Sequence, residues 1–187
     1  MRSTTLLLLG AATFVTFAAN AQTQAPTEDR PTAAASFVDL DGKTVGSATL
    51  MDTPNGVVIR AEIEGLKPGE LSMHFHQTGQ CDPATKFESA GGHFNPANAQ
   101  HGFMNADGPH GGDMPNQFVG DDGKLSVNLI NDMITIGTAD AESQRDSIID
   151  DDGTAIVIHA GADDYQSQPA GNSGDRIVCG VIQMAPK

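Results

Sequence analysis

With 24 acidic against 10 basic side chains in 187 residues, a formal charge of −14, the chain lacks the basic surface that nucleic acid or an anionic membrane requires, and neither is expected as a partner. Its length suits one domain large enough to bury its own core. Two cysteines and only six histidines leave few residues to carry chemistry.

Met1-Arg2 opens the chain with a positive charge, Leu6 to Phe17 is apolar apart from small residues, and Ala19-Asn20-Ala21 supplies a small-x-small cleavage pattern. Residues 1–21 therefore read as a secretory signal peptide. The apolar run is too short to span a bilayer comfortably and no second one follows, so no membrane anchor is expected. The expected location is the periplasm or outside the cell. Removing the signal takes Arg2 and leaves 9 basic against 24 acidic residues, or −15. Residues 22–33, polar and broken by Pro26 and Pro31, read as a flexible lead-in, and 34–187 as the folded domain.

Ser36 to Leu40 and Thr44 to Met51 read as strands on either side of an Asp41-Gly42 turn. Asn55-Gly56 is a hairpin signal ahead of the alternating run Val57 to Glu64. Lys67-Pro68-Gly69 turns the chain into a strand over Glu70 to Gln77, where Leu71, Met73 and Phe75 alternate with Ser72, His74 and His76. Asp121-Asp122-Gly123 precedes a strand over Leu125 to Ile130; Ala155 to His159 and Ile177 to Met184 complete the set. Ala139 to Ile149 suggests a short helix. Short strands with frequent glycine turns predict an all-β, antiparallel sandwich or barrel. The Gly-, Asn-, Asp- and Pro-rich tracts 78–117 and 160–175 exceed ordinary connections, which marks them as functional loops.

The histidines form one series: His74 and His76, then His93, His101 and His110 with Asp113 three residues on, and finally His159. Residues two apart on a strand share a face, so His74 and His76 can grip one ion while Met73 and Phe75 enter the core. His159 ends an apolar strand and can meet them from a neighbour. Imidazoles with one carboxylate suit zinc or copper. Seven ligands exceed one tetrahedral site and satisfy two if one of them bridges. The glycine-rich loop that holds His93, His101, His110 and Asp113 cannot order itself by burial, and metal ligation supplies that ordering. Taken singly, each piece has a plainer reading: strand histidines on an exposed face, or a structural His159.

Three segments narrow the choice: Gly91-Gly92-His93-Phe94-Asn95-Pro96, Gly108-Pro109-His110-Gly111-Gly112-Asp113-Met114-Pro115-Asn116, and Gly171-Asn172-Ser173-Gly174-Asp175-Arg176-Ile177-Val178-Cys179-Gly180. With them the chain resembles the copper/zinc superoxide dismutases, most closely the exported bacterial members, from about residue 34 to 184. The resemblance implies a Greek-key, immunoglobulin-like antiparallel sandwich or barrel of about eight strands with two long functional loops. It implies one copper per subunit on His74, His76, His93 and His159. It implies one zinc on His93, His101, His110 and Asp113, with the His93 imidazolate shared. Arg176 would face the copper and attract superoxide, the substrate; His93 would hand over a proton for peroxide formation. Asp163 would join His74 to His101. Without the resemblance, Arg176 reads equally as a surface ion pair and Asp163 as a solvated loop residue. The two cysteines of an exported chain predict a Cys81–Cys179 disulfide, and the family pairing agrees.

The chain departs from the better-known eukaryotic pattern. Gln77 stands where an acid is usual, Cys81 follows His76 by five residues and precedes His93 by twelve, and no lysine lies between His159 and Arg176. Guidance of superoxide must then come from Arg176, the copper charge, and Lys86 or another cation that folding brings near. Two other classes compete with an enzyme: a periplasmic copper or zinc carrier, and a zinc-stapled sandwich with a vestigial copper half. Scattered methionines and the intact His74, His76, His93 and His159 set argue against both. Monomer and homodimer are both open.

Overall fold

The computed structural model describes residues 30–138 and 145–186, so the expected signal peptide and most of the lead-in lie outside the described residues. Among the described residues eleven strands follow one another: β1 Thr32–Asp39, β2 Thr44–Thr53, β3 Gly56–Glu64, β4 Gly69–Leu71, β5 Met73–His76, β6 Gln117–Val119, β7 Lys124–Asn131, β8 Ile134–Thr135, β9 Asp146–Ser147, β10 Ala155–His159 and β11 Arg176–Met184. Seven of them form an antiparallel sheet in the order β5-β10-β11-β1-β2-β3-β7. β4, just ahead of β5, pairs with β6, just ahead of β7, so this small ribbon draws the two edges of the large sheet towards each other. The all-β, curled antiparallel architecture is the one the turn spacing predicts.

Alternation builds the core. On β3, Val57, Ile59, Ala61 and Ile63 are buried while Arg60, Glu62 and Glu64 are exposed, and the same period runs through β1, β2 and β7. These side chains meet Phe37, Leu50, Met73, Phe75, Ile156, Ile158 and Val178 in one cluster. A second, smaller cluster of Phe87, Ala90, Ala155, Val157 and Cys179 lies on the opposite face of β10 and β11, under the loop that the Cys81–Cys179 disulfide ties down.

Three expectations need correction. β1 begins at Thr32, so the last two residues of the expected lead-in are already paired, Thr32 with Met51 and Ala33 with Met184. The single strand expected over Glu70 to Gln77 is broken at Ser72: Leu71 pairs with Gln117 and Met73 with Ile158, so the chain changes partner there. Ser72 fills the gap by bonding Gly161 and His159. Of the helix expected over Ala139 to Ile149, residues 139–144 lie outside the described residues. The remainder contains β9, which runs parallel to β8, because Ile148 is buried and Arg145 donates to the Thr53 carbonyl at 2.9 Å.

Candidate metal centre

β5 is an edge strand, and the loop over 77–116 covers its free edge. Phe75 N–H donates to Gly112 O, Phe94 N–H to Phe75 O, and Gln77 N–H to Gly92 O, all within 2.9 Å. A Cβ on Gly112 would sit 2.4 Å from the Phe75 carbonyl, so this close approach requires glycine. Backbone docking thus brings His93 beside His76, with which it forms an isolated bridge, and fixes the loop ligands against the strand ligands. His159, on the same face of β10 as Ala155 and Val157, arrives from the neighbouring strand. A register shift between Ile158 and His159 sets Arg176 opposite His159, where strict alternation would give Ile177. Such irregularities re-aim side chains beside functional sites.

Two groups of four buried side chains result: His74, His76, His93 and His159, and His93, His101, His110 and Asp113, each with ligand atoms within 4.8 Å of one another. All seven predicted ligands are therefore brought together, and His93 belongs to both groups. In the first group the hydrogen bonds identify which nitrogen is bare. His76 donates from Nδ1 to Gly91 O at 2.9 Å and His159 from Nδ1 to Gly174 O at 3.2 Å. Their Nε2 lone pairs consequently face each other at 3.4 Å, a repulsive arrangement that a shared cation relieves. His74 donates from Nε2 to Asp163 Oδ2 at 2.8 Å, which leaves its Nδ1 bare. Among the described residues, His74 Nδ1 and His93 Nε2 are buried without a hydrogen-bond partner. Four bare nitrogens converging in a buried group fit one metal ion.

In the second group, Asp113 Oδ1 lies 2.9 Å from His93 Nδ1, 2.9 Å from His101 Nδ1 and 3.5 Å from His110 Nδ1, and the two Nδ1 atoms of His93 and His110 are 3.4 Å apart. A tetrahedral ion with zinc-like bond lengths has ligand edges of about 3.4 Å, so these spacings fit one. Asp113 Oδ2 is held by Gly102 N–H at 2.8 Å and His110 N–H at 3.0 Å, which aims Oδ1 into the group. Asp163 accepts from His74 and, at 3.0 Å, from His101 Nε2, so one carboxylate orients a ring of each group.

Protonation follows from this packing. Burial, reinforced by the neighbouring rings, holds His76 well below its ordinary 6.5, His159 at about 3 and His93 at about 4, the last despite its Asp113 bond. Burial acts on His101 too, yet Asp113 and Asp163 outweigh it and raise that ring to about 9. Its extra proton, on Nδ1 facing Asp113, stands where a cation would bind. Asp113 and Asp163, although buried, are held below the carboxylate range by their imidazole partners.

A family model described as copper/zinc superoxide dismutase matches residues 44–182. The chain belongs to the copper/zinc superoxide dismutase family. It is 45% identical over 150 residues to "Superoxide dismutase [Cu-Zn] 2" of Aquifex aeolicus, covering 80% of this chain and 85% of that protein. Among solved structures, a superoxide dismutase-like protein from Bacillus subtilis matches with a TM-score of 0.73 and 41% identity, over 79% of this chain and 96% of that one. The Cu/Zn superoxide dismutase of Brucella abortus matches at 0.63 and 25%, over 81% and 99%. Copper and zinc are the cofactors of the family, and the two four-ligand groups can hold them.

Three residues went unnoticed in the sequence. Asn116 clamps Asp163 from both sides, donating to its carbonyl and accepting from its N–H, each at 2.9 Å. Tyr165 Oη accepts from Asn116 N–H at 2.7 Å, and Gln168 brackets the His101 backbone with bonds of 2.9 and 3.0 Å. Together they lock the 160–175 loop to the 77–116 loop. Only their polarity within a long loop could have signalled this.

Proposed function

We propose that the chain disproportionates superoxide to oxygen and hydrogen peroxide, with copper on His74 Nδ1, His76 Nε2, His93 Nε2 and His159 Nε2. Zinc would then be held by His93, His101, His110 and Asp113. The observation that carries this reading is the membership of His93 in both groups, one nitrogen turned to each. When bound, copper supplies one-electron redox chemistry and zinc, which has none, supplies fixed geometry.

The chain's own residues do the rest. His93 Nε2, buried and without a partner, is the atom at which a proton is taken up and released for peroxide formation. A zinc ion on Nδ1 would keep the ring oriented and lower its basicity. Arg176 donates from Nη1 to the Phe87 carbonyl at 2.7 Å, which fixes its guanidinium beside His159 as a permanent cation for a small anion. His74 and His101 each donate from Nε2 to Asp163, so Nδ1 of each ring faces its ligand group, and a cation bound there would displace the extra proton of His101.

Export agrees with the Cys81–Cys179 disulfide and the small-residue cleavage pattern at Ala19-Asn20-Ala21, with the enzymatic domain starting at Thr32, the first residue of β1. Among the described residues no helix is long and apolar enough to cross a membrane. The test is selective removal and return of copper. Dismutation should vanish and return with the copper content, and His159→Ala should lose both irrecoverably while its circular dichroism stays native. Full turnover in His159→Ala would overturn the copper assignment.

A further inference from the structure

Three of the chain's five lysines, Lys43, Lys67 and Lys124, line one cavity of about 590 Å³. It opens at the end of the sheet where β1, β3 and β10 finish and β2, β7 and β11 begin. Ile177 forms part of its wall, whereas the preceding residue, Arg176, lines a separate opening with His159. Successive side chains on a strand point to opposite faces, so β11 separates this cavity from the copper-side group.

Asp39, Glu64 and Asp122 also line the cavity, in a chain whose formal charge is −14. They do not neutralise the lysines by contact. Among the described residues none of the three ammonium groups is in an ion pair. Asp39 Oδ1 accepts from the N–H groups of Asp41 and Lys43 at 3.0 and 2.9 Å, and Asp122 Oδ1 from Lys124 N–H at 3.1 Å. Both carboxylates therefore cap their own turns, where backbone dipoles meet their charge. Glu64 stands opposite Lys124 in the β3–β7 register and offsets that cation. Lys43 and Lys67 remain free to meet an anion.

Below this charged rim the lining is apolar: Leu66, Leu71 and Val178 are buried there. Leu66 N–H donates to Gly123 O at 3.1 Å, which ties the turn bearing Lys67 to the turn ahead of Lys124 and holds the rim together through backbone. An apolar floor with a few polar groups at its edge, in a volume of several hundred Å³, is the usual make-up of a small-molecule site. An inorganic anion would leave that floor empty.

We propose that this cavity binds a small organic anion, its carboxylate held by Lys43 and Lys67 and its apolar body laid against Leu66, Leu71 and Val178. The site is separate from the metal centre and does not rest on the copper assignment.

The test uses the full chain loaded with zinc and reduced copper, and octanoate as the probe. Octan-1-ol and inorganic phosphate supply the apolar and the anionic half alone. Calorimetric titration at about 10 mM ionic strength gives the affinities, and amide NMR shifts give the location. Octanoate should bind one site and move the signals of Leu66, Lys67 and Leu71. Lys43→Gln and Lys67→Gln should each weaken it roughly threefold, and the pair roughly tenfold, with native circular dichroism and unchanged octan-1-ol affinity. The double variant Lys43→Arg, Lys67→Arg should keep the wild-type affinity. Hexanoate, two methylenes shorter, should bind roughly tenfold more weakly. The lysine effects should close by about 0.5 M salt. Octanoate that fails to bind, that binds the double glutamine variant as tightly as the wild type, or that moves signals elsewhere, such as at Met51 and Val58, would overturn the proposal. Phosphate binding as tight as that of octanoate would also overturn it.

Discussion

Replacing Asp163 separates orientation of the ligands from ligation itself. Its side chain is 1% exposed and accepts from His74 Nε2 at 2.8 Å and His101 Nε2 at 3.0 Å, one oxygen for each ring. Asparagine offers one oxygen and one N–H₂, so one imidazole keeps its acceptor while the other meets a donor and must turn or change tautomer. A changed tautomer puts a proton on the nitrogen that should face the metal. Loss of such a partner typically weakens metal binding 10–100-fold, or about 1.4–2.8 kcal/mol. Asp163→Asn should therefore weaken one site by that amount, and Asp163→Ala, with no acceptor at all, should weaken both. Chelator competition at fixed pH, with copper and zinc quantified separately, distinguishes the two patterns. Wild-type affinity at both sites in Asp163→Ala would refute the orienting role.

Three further outcomes are expected. Gly171→Ala should reproduce the Asp163→Ala affinities in the same assay: at φ +65°, its Cβ would lie 1.7 Å from Asp163 Oδ1 and 2.8 Å from His101 Nε2, so the carboxylate must move. The double Cys81→Ser, Cys179→Ser variant should lose roughly 4–5 kcal/mol of unfolding free energy in guanidinium titrations, because the bridge spans 98 residues. The metal-free protein should have its highest urea midpoint near pH 6.5. His76, His93 and His159 are held below 6.5 in the fold, so the unfolded chain binds more protons and stability falls as pH drops from 6.5 towards about 3–4. His101 works in the other window: its contribution is complete below 6.5 and disappears as pH rises through about 9. Midpoints at pH 4.5, 6.5 and 9 that do not differ would count against these environments.

How much of this was legible in the sequence depends on whether the information sat in side chains or in backbone. The pairing of His74 with His76, and of Met73 with Phe75, follows from strand period alone. So does the core face of β3, with Val57, Ile59 and Ile63. The partner change at Ser72 does not, because Leu71 and Met73 are both apolar and keep the alternation unbroken. Docking of Gly92, Phe94 and Gly112 on the edge of β5 uses main-chain groups, which every residue possesses. The register shift that sets Arg176 beside His159 adds one residue to β11 without any distinctive residue type. Asn116, Tyr165 and Gln168 carry no motif of their own, and only their contacts with Asp163, with one another and with the His101 backbone mark them.

The sharing of the His93 ring is tested most directly by a crystal structure of the metal-loaded protein with anomalous data collected at the copper and zinc edges. The account predicts a copper signal at bonding distance from His93 Nε2 and His159 Nε2, and a zinc signal at bonding distance from His93 Nδ1 and Asp113 Oδ1. Either ion bound elsewhere, or a His93 ring that touches only one of them, would contradict it.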